Sequence, residues 1–245
     1  MRRRKLLWFL IAWTIGLAGG LCVWSLIGLS RVTRGRFGIQ LRGYTLGKIT
    51  APREGLLIMI NHPSMAEVFI IPFVFFPWFL FNLRYAPIST PDLKNFKQRF
   101  WFPLVEAACI VMSRGKKAAY DALGEITNRL REGSVVIYQP EGGRTYRGTA
   151  FRSSVSGKTL RTVKSGIGRI VQDTDTVVLP VWAGGGDEVM PNEREGEPFH
   201  LSFPRFWRPM TITFGDPVNA RDIRGATVEE TCRNLEEVML KTAEM

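Results

Sequence analysis

The N-terminal segment constrains the architecture of this 245-residue chain more than any other feature. An uncharged, largely apolar run of 25 residues extends from Leu6 to Ser30, which is long enough for an α-helix to cross a bilayer. A cleaved signal peptide is the competing interpretation, but its apolar core usually spans only ~7–15 residues and ends in a small-x-small pattern. The run is longer and has no clear exit of that kind, so we predict a retained membrane anchor over residues 1–36.

Basic residues flank this run on both sides. Arg2–Lys5 precede it, and three more arginines lie within Arg31–Arg36. Positive charge on both flanks leaves the orientation open, and the glycines within Gly16–Gly20 can let the segment bend into a re-entrant hairpin in one leaflet. The spanning and re-entrant alternatives therefore both stay open.

The formal net charge of +11 is concentrated at the N-terminus. Residues 1–54 contain ten Lys or Arg and one acid, Glu54, which leaves about +2 on the remaining residues. Lys and Arg beside a membrane segment gain roughly 1 kcal/mol each near anionic lipids. We therefore expect an anionic membrane surface as a partner and no nucleic acid.

Cysteine and histidine are too sparse to form a disulfide framework or a metal site. Cys22, Cys109 and Cys232 are widely spaced and form no CxxC pair, which favours a reducing, cytoplasmic side for the domain. His62 and His200 would need carboxylate or thiol partners that no spacing supplies. We expect no metal and no cofactor.

Beyond Phe37, β-rich runs alternate with helical stretches and no linker divides the chain. This pattern predicts one α/β domain over residues 37–245, with a mixed, mostly parallel sheet flanked by helices. The predicted strands are Gly55–Ile60, Leu83–Ile88, Ala107–Met112, Ser134–Gln139, Thr176–Val181 and Pro209–Phe214. An antiparallel edge is expected where Leu201–Phe203 and Thr211–Phe214 flank a turn-rich segment.

Two helices carry clear boundary signals. Lys116–Arg131 has apolar residues on one face and should end before Gly133. The last helix should begin at Thr227, because Glu230 three residues later completes a capping box.

The segment Val68–Leu83 is almost wholly apolar and rich in phenylalanine. Pro72 and Pro77 interrupt it, which argues against a second membrane span. It is either a buried core helix or an aromatic surface that contacts the membrane interface or an acyl chain.

His62 and Glu67 form the first candidate catalytic pair. The segment follows a predicted strand, and Pro63 is a favoured first helical residue, which would place His62 at the N-cap. From that turn the imidazole can fold back toward Glu67. A carboxylate that accepts from one ring nitrogen fixes the tautomer and leaves the other free to take a proton from a hydroxyl. A lone histidine capping a helix is the alternative.

A glycine turn followed by an arginine forms the second candidate. The predicted strand over residues 134–139 is followed by Glu141, Gly142, Gly143 and Arg144. Adjacent glycines let backbone N–H groups approach a ligand, and arginine offers a planar fork for phosphate oxygens. Glu141 can accept from an arginine and hold the turn. The alternative is an ordinary turn with a surface arginine.

Four ordered motifs resemble those of the lysophosphatidic acid acyltransferase family. In chain order they are Asn61-His62 with Glu67 five residues after the histidine, Val111–Arg114, Pro140–Arg144 and Val178–Val181. The later Thr211–Pro217 is similar to a further strand-and-turn signature of that family. The resemblance covers residues 55–217, and an N-terminal membrane helix ahead of it is also typical.

The resemblance implies transfer of a fatty acyl group from acyl-CoA or acyl carrier protein to the free hydroxyl of a lysophospholipid. It implies His62 as general base and Glu67 as the residue that orients it. The residues implied to bind the substrate, most of them around the phosphate of the acceptor, are Asn61, Arg114, Glu141, Gly142, Gly143 and Arg144.

Three residues depart from the family pattern. Glu67 stands where Asp is usual, Ser113 precedes Arg114 where an acid is common, and Gly143 replaces a usual threonine. The first change is chemically mild. The other two touch the acceptor pocket and leave the head group open.

The expected reaction is direct transfer to 1-acylglycerol 3-phosphate, giving phosphatidic acid without a covalent enzyme intermediate. The expected location is the cytoplasmic membrane or its equivalent, with the catalytic domain facing the cytoplasm. Two alternatives remain: another lyso-lipid head group, or a non-catalytic lipid-binding protein that keeps the fold.

Overall fold

One long N-terminal helix is followed by alternating strands and helices. The computed structural model describes residues 2–45, 55–80, 85–92, 106, 109–113, 115–193 and 202–245. Within these residues the strands are β1 (Ile39–Arg42), β2 (Leu56–Ile60), β3 (Ile88–Ser89), β4 (Val135–Tyr138), β5 (Phe151–Ser153), β6 (Thr159–Arg161), β7 (Val177–Gly184), β8 (Met210–Phe214) and β9 (Val218–Asn219). The helices are α1 (Arg2–Val32), α2 (Ala66–Val74), α3 (Phe76–Phe79), α4 (Lys116–Arg131), α5 (Ser165–Asp173), α6 (Gly186–Val189), α7 (Ala220–Ile223) and α8 (Val228–Ala243).

Seven strands form one mixed sheet, and β5 pairs with β6 in a separate hairpin. The order is β1-β8-β7-β2-β4-β3, with β9 beside β7. Strands β1–β8, β7–β2, β2–β4 and β4–β3 pair in parallel, whereas β7 pairs antiparallel with β8 and with β9. The predicted fold class, a mixed and mostly parallel sheet flanked by helices, is confirmed.

The predicted antiparallel partner of Thr211–Phe214 is wrong. Residues 202 and 203 lie in no strand, and Leu201 lies outside the described residues. Strand β8 instead pairs with β7, with Val181 opposite Phe214. Strand β8 is almost wholly buried, so it needs a partner on each side, and β1 and β7 supply them.

Strand β2 lies at the centre of the sheet and is buried on both faces. Leu56, Ile58 and Ile60 face one core, and Leu57 and Met59 face the other, as the two-residue period of a strand requires. A continuous apolar run is typical of a strand covered by helices on both sides. The carboxyl end of β2 leads directly into the turn at residues 61–65.

Two predicted strands are shorter than expected. Strand β3 has only Ile88 and Ser89, and residues 83 and 84 lie outside the described part of the chain. In the other segment, Cys109 and Met112 form isolated parallel bridges with Ser89 and Asp92, whereas residues 107 and 108 are not described. This edge of the sheet is therefore irregular, and it forms one side of the cleft described below.

Helix α1 is continuous through its glycines and packs on the domain. Trp13–Val32 has a mean hydropathy of 1.6, and its length and composition would allow it to cross a membrane. Only 28% of its most apolar window is buried. The buried part includes Val23 and Ile27, which belong to the same core as β2.

The glycines of α1 make close packing with phenylalanine rings possible. A β-carbon on Gly19 would overlap the ring of Phe73, and one on Gly20 would overlap the ring of Phe76. A β-carbon on Gly28 would meet nothing within 4 Å. The cluster at Gly16–Gly20 therefore serves helix packing and does not interrupt α1. Whether the helix spans a bilayer stays a prediction.

The apolar segment 68–83 contributes to the core in its described part. Phe76 and Phe79 in α3 and Phe75 just before it are buried, and Phe73 in α2 is partly buried against the same core. The buried-core interpretation therefore holds for these rings.

The helices on the opposite face begin and end as predicted. Helix α4 ends two residues before Gly133, which has a positive φ of 81°. The Thr227 side chain accepts from the N–H of Glu230 at 3.1 Å and thereby caps α8.

Candidate active site

His62 and Glu67 are in contact in the turn between β2 and α2. Nδ1 of His62 lies 2.5 Å from Oε1 of Glu67. The carboxylate of Glu67 is completely buried, and its second oxygen accepts from Ser64 Oγ at 3.1 Å. A carboxylate beside Nδ1 keeps the proton on that nitrogen and leaves Nε2 as an acceptor.

The contact forms although the predicted helix start is wrong. Helix α2 begins at Ala66 with Met65 as its N-cap, three residues later than expected. Ser64 Oγ accepts from the N–H of Ala66 at 3.0 Å, so the side chain of Ser64 stabilises a turn before the helix. That turn brings the imidazole of His62 over Glu67 in the first helical turn.

His62 lines a cleft of about 490 Å³. Its side chain is 14% exposed, so the ring is accessible from the cleft while its partner is not. The described lining contains three arginines, Arg144, Arg147 and Arg161, and one acid, Asp92. A basic ring nitrogen and a strongly cationic wall therefore share one cavity.

Glu141 connects the two sequence motifs from inside the protein. Its Oε1 accepts from the N–H of His62 at 2.7 Å and from Thr145 Oγ1 at 3.0 Å. Its Oε2 accepts from the N–H of Arg161 at 3.1 Å. Burial raises the pKa of Glu141 above its usual value, although these hydrogen bonds act in the opposite direction.

The position of Glu141 differs from the role that the resemblance implied. The carboxylate is fully buried and accepts from two backbone N–H groups, whereas the resemblance implied a contact with a phosphate. A second bond, from the N–H of Thr145 to the carbonyl of His62 at 2.7 Å, joins the same two segments. Glu141 thus holds the turn, as the residue pattern alone suggested.

Asn61 is a structural bridge between β2 and β7. Its Nδ2 donates to the carbonyl of Ala183 at 3.0 Å, and its Oδ1 accepts from the N–H of Ala183 at 2.7 Å. The side chain is buried and is not part of the cleft lining. Its amide is therefore occupied by the backbone, in contrast to the substrate contact that the resemblance implied.

Arg144 has a buried protein partner that sequence reasoning missed. Both terminal nitrogens of Arg144 bond the carboxylate of Glu193, and Nη2 of Arg147 lies 2.5 Å from the same carboxylate. Burial alone would raise the pKa of Glu193, but the hydrogen bond and charge of Arg144 and the charge of Arg147 lower it below its usual value. Glu193 is 49 residues from Arg144, so no local spacing marks this pair.

The arginine pair is also tied to the histidine turn. Asn192 Nδ2 donates to the carbonyl of Pro63 at 2.8 Å, and Asn192 Oδ1 lies 3.4 Å from Arg144 Nη1. The guanidinium carbons of Arg144 and Arg147 lie 5.3 and 5.6 Å from the centre of the Tyr146 ring. The position of Arg144 is therefore set by a carboxylate, an amide and an aromatic face.

A general acyltransferase family model matches residues 45–184, which is more than half of the chain and includes His62, Glu67 and Arg144. This chain belongs to the acyltransferase family. Among solved structures, it is similar to the crystal structure of the 1-acyl-sn-glycerophosphate (LPA) acyltransferase PlsC from Thermotoga maritima. The TM-score is 0.57 at 18% identity, over 100% of this chain and 97% of that one, which shows a shared fold.

The remaining candidate residues of this acyltransferase fall into two groups. Gly142 and Gly143 line the cleft beside Arg144, and Gly142 has a positive φ of 66° that favours glycine. Ser113 also lines the cleft, whereas Arg114 lies outside the described residues.

No metal centre is evident in the part of the acyltransferase that the structure describes. There, no group of three or more His, Cys, Asp or Glu side chains is placed to hold an ion.

Proposed function

We propose that this acyltransferase moves a fatty acyl group from acyl-CoA or acyl carrier protein to the free hydroxyl of a lysophospholipid. The proposed acceptor is 1-acylglycerol 3-phosphate and the product is phosphatidic acid. The observation that carries the proposal is the His62–Glu67 contact at 2.5 Å in a cleft that is also lined by three arginines. Membership of the acyltransferase family and the activity named for the similar Thermotoga maritima protein support it.

His62 acts as the general base. With Glu67 beside Nδ1, the unprotonated Nε2 can take the proton of the acceptor hydroxyl as the oxygen attacks the thioester carbonyl. The positive charge that develops on the ring lies against the buried Glu67 carboxylate, which stabilises it. Ser64 fixes the other oxygen of Glu67 and so limits rotation of the carboxylate.

The transfer needs no covalent enzyme intermediate. A carbon–oxygen bond forms between the acceptor and the acyl carbon, and the tetrahedral species then breaks its carbon–sulfur bond. The proton taken by His62 passes to the departing thiolate, which leaves as a neutral thiol. His62 therefore acts first as the base and then as the acid, so the protons of the reaction balance.

The acceptor phosphate is proposed to bind at the arginine wall. Arg144 supplies a charge of fixed orientation, and the backbone of Gly142 and Gly143 borders the same space. Arg114 is retained as a proposed phosphate contact on the strength of the motif. Asn61 and Glu141 are assigned as positioning residues because their side chains bond the protein backbone.

A donor-by-acceptor panel with purified protein tests the proposal. Acyl-CoA and acyl carrier protein donors are combined with 1-acylglycerol 3-phosphate, other lysophospholipids and monoacylglycerol, and products are identified by mass spectrometry. We expect phosphatidic acid to form fastest, and the His62→Ala variant to form it at least about 10²-fold more slowly. Binding of lysophospholipid without turnover by any donor would favour the non-catalytic alternative.

Helix α1 is proposed to attach the domain to the cytoplasmic face of a membrane. Its inward face packs on α2 and α3, whereas Leu21 and Leu29 are exposed, and basic residues lie at both ends. The three cysteines are free, which fits a reducing compartment.

Liposome flotation tests the attachment. Replacing Leu21 and Leu29 by Lys should weaken flotation with vesicles that contain anionic lipid, since charge at lipid depth costs about 2.5–3.5 kcal/mol per residue. Tyr120→Lys, at an exposed apolar residue of α4, is the matched control. Unchanged flotation of the double variant at unchanged thermal stability would contradict attachment through this face.

A further inference from the structure

The three arginines of the cleft differ in their pairing. Arg144 and Arg147 share the buried carboxylate of Glu193. The guanidinium of Arg161 has no hydrogen bond or ion pair with any side chain in the described ranges, although the residue is half-buried. Of the three arginines, Arg161 therefore has no carboxylate partner among the described residues.

The backbone of Arg161 is fixed relative to the candidate base. The N–H of Arg161 and the N–H of His62 donate to the two oxygens of one carboxylate, that of Glu141, at 3.1 and 2.7 Å. Both residues line the same cleft. The backbone positions of Arg161 and His62 are therefore fixed relative to each other, and a ligand in this cleft can contact both side chains.

Two glycines make room for the Arg161 side chain. A β-carbon on Gly148 would lie 2.8 Å from both Cγ and Cδ of Arg161, and one on Gly143 would lie 3.0 Å from Nη1. Gly143 is not among the glycines with a positive φ, and Gly148 has a φ of −80°. Backbone geometry does not demand glycine at either position, so the missing side chains serve the path of Arg161.

We propose that Arg161 is a phosphate-binding residue that selects acceptors with a phosphate monoester head group. This inference rests on the proposed function and adds a residue to its acceptor site. A phosphate monoester carries a charge of about −1.5 to −2 at pH 7, whereas a diester carries about −1. Because Glu193 already offsets part of the charge of Arg144 and Arg147, the second negative charge of a monoester is neutralised by Arg161.

Kinetics with two acceptors of equal acyl chain test the proposal. The monoester is 1-acylglycerol 3-phosphate and the diester is 1-acylglycerophosphoglycerol. Arg161→Met should raise KM for the monoester about tenfold or more, the size of a lost charge-assisted contact, and change KM for the diester and the donor much less. Arg161→Lys should recover part of the loss because it keeps the charge without the fork. Arg169→Met, an exposed arginine of α5, should change neither KM.

A double-mutant cycle separates the role of Gly143 from that of Arg161. Gly143→Ala should raise KM for the monoester less than Arg161→Met does, because the methyl group displaces Nη1 by only a few tenths of an ångström. In the Arg161→Met background the same change should have little further effect. Additive effects would mean that Gly143 acts independently of Arg161.

Each outcome bears on one proposal. If the wild-type protein acylates both acceptors but Arg161→Met raises both KM values equally or neither, the function stands and the role of Arg161 is wrong. If the wild-type protein acylates neither, the proposed function fails, and calorimetric binding of 1-acylglycerol 3-phosphate in detergent micelles decides about Arg161. A tenfold weaker Kd for Arg161→Met supports the inference, whereas equal affinity, or no binding to the wild type, overturns it.

Discussion

Two buried carboxylates serve the same cleft in different ways. Glu67 contacts His62, whose ring can gain or lose a proton, whereas Glu193 contacts Arg144, whose charge is permanent. The first pair can therefore take part in proton transfer, and the second can only orient and neutralise. The first pair is five residues apart and the second is 49, so sequence spacing suggested one and not the other.

The two pairs are mechanically joined. Asn192, next to Glu193, donates to the carbonyl of Pro63, next to His62. Glu141 accepts from the N–H of His62 and from the hydroxyl of Thr145, next to Arg144, and its pKa is raised, opposite in direction to that of Glu193. The difference follows from the partners: Glu141 faces dipoles, whereas Glu193 faces two cations.

The largest expected effect comes from breaking the His62–Glu67 pair. His62→Ala removes the proton acceptor and should lower kcat by about 10²–10⁴-fold. Glu67→Gln keeps the shape but removes the charge and can favour the wrong tautomer, so it should also lower kcat by at least about 10²-fold. Glu67→Asp should be much milder because it keeps the carboxylate.

Steady-state kinetics on protein of matched melting temperature provide the measurement. Glu237→Gln, at an exposed position of α8, is the control for loss of a carboxylate. Near-normal turnover of Glu67→Gln would sink the pair as a catalytic unit and leave Glu67 with a structural role.

The second effect is on the free energy of unfolding and comes from breaking the Arg144–Glu193 pair. Glu193→Gln leaves the buried Arg144 without its carboxylate, and removing one partner of a buried pair costs about 3–5 kcal/mol. We expect about 3 kcal/mol, the lower end, because Arg147 is partly exposed. Urea denaturation at pH 7 measures it, with the exposed Glu188→Gln as control. A loss no larger than that of the control would contradict the assignment.

The same variant gives a pH test. Because the pKa of Glu193 is lower in the folded state, its contribution is fully present above the unfolded pKa of about 4.3 and is lost as pH falls through the folded value. The stability gap between wild type and Glu193→Gln should therefore be constant from pH 6 to 8 and narrow below about pH 4. A gap that widens on acidification would reverse the sign and overturn the argument.

Breaking the pair from the arginine side should have a somewhat smaller effect that falls on the substrate. Arg144→Ala should raise KM for a phosphate-bearing acceptor by about 10–100-fold, equivalent to ~1.5–3 kcal/mol, with little change in KM for the donor. Arg144→Lys should rescue only part, since a point charge cannot reproduce the fork. An equal rise for both substrates would show that Arg144 supports the fold instead.

A double replacement sharpens this prediction. Removing both charges in Arg144→Met with Glu193→Gln should recover much of the stability lost by Glu193→Gln alone, because the buried positive charge is removed together with the negative one. The acceptor KM should stay high. Recovery of both properties would show that Arg144 makes no contact with the acceptor.

The smallest effect is expected at an exposed carboxylate with two arginine partners. Asp175 lies 2.5 Å from Arg221 and 3.1 Å from Arg224, and mainly the hydrogen bond from Arg221 lowers its pKa to about 2. Solvent screens this pair, so Asp175→Asn should hardly change the melting temperature, and less still at high salt. A loss of stability as large as that caused by Glu193→Gln would show that charge pairing, and not burial, determines how much stability is lost when a carboxylate is removed.

Local features of this protein were determined by its sequence. The apolar run of β2 required burial on both faces, and the spacing of His62 and Glu67 allowed a contact within one turn, even though the helix starts later than predicted. The sequence also predicted the Thr227 cap of α8 and the end of α4 before Gly133. Such features involve residues within about one turn of each other, where backbone geometry limits the arrangements.

Only the tertiary structure decided the partners of Arg144, Asn61 and Arg161. Glu193 comes to Arg144 across 49 residues, and Ala183 meets Asn61 across 122, because sheet pairing brings the ends of distant strands together. Among the described residues the guanidinium of Arg161 has no carboxylate partner, and its Nη1 lies where a β-carbon on Gly143 would come within 3.0 Å. Long-range pairing is specified by summed packing and register rather than by local spacing, so a motif identifies the reacting groups, whereas the fold determines their charge and position.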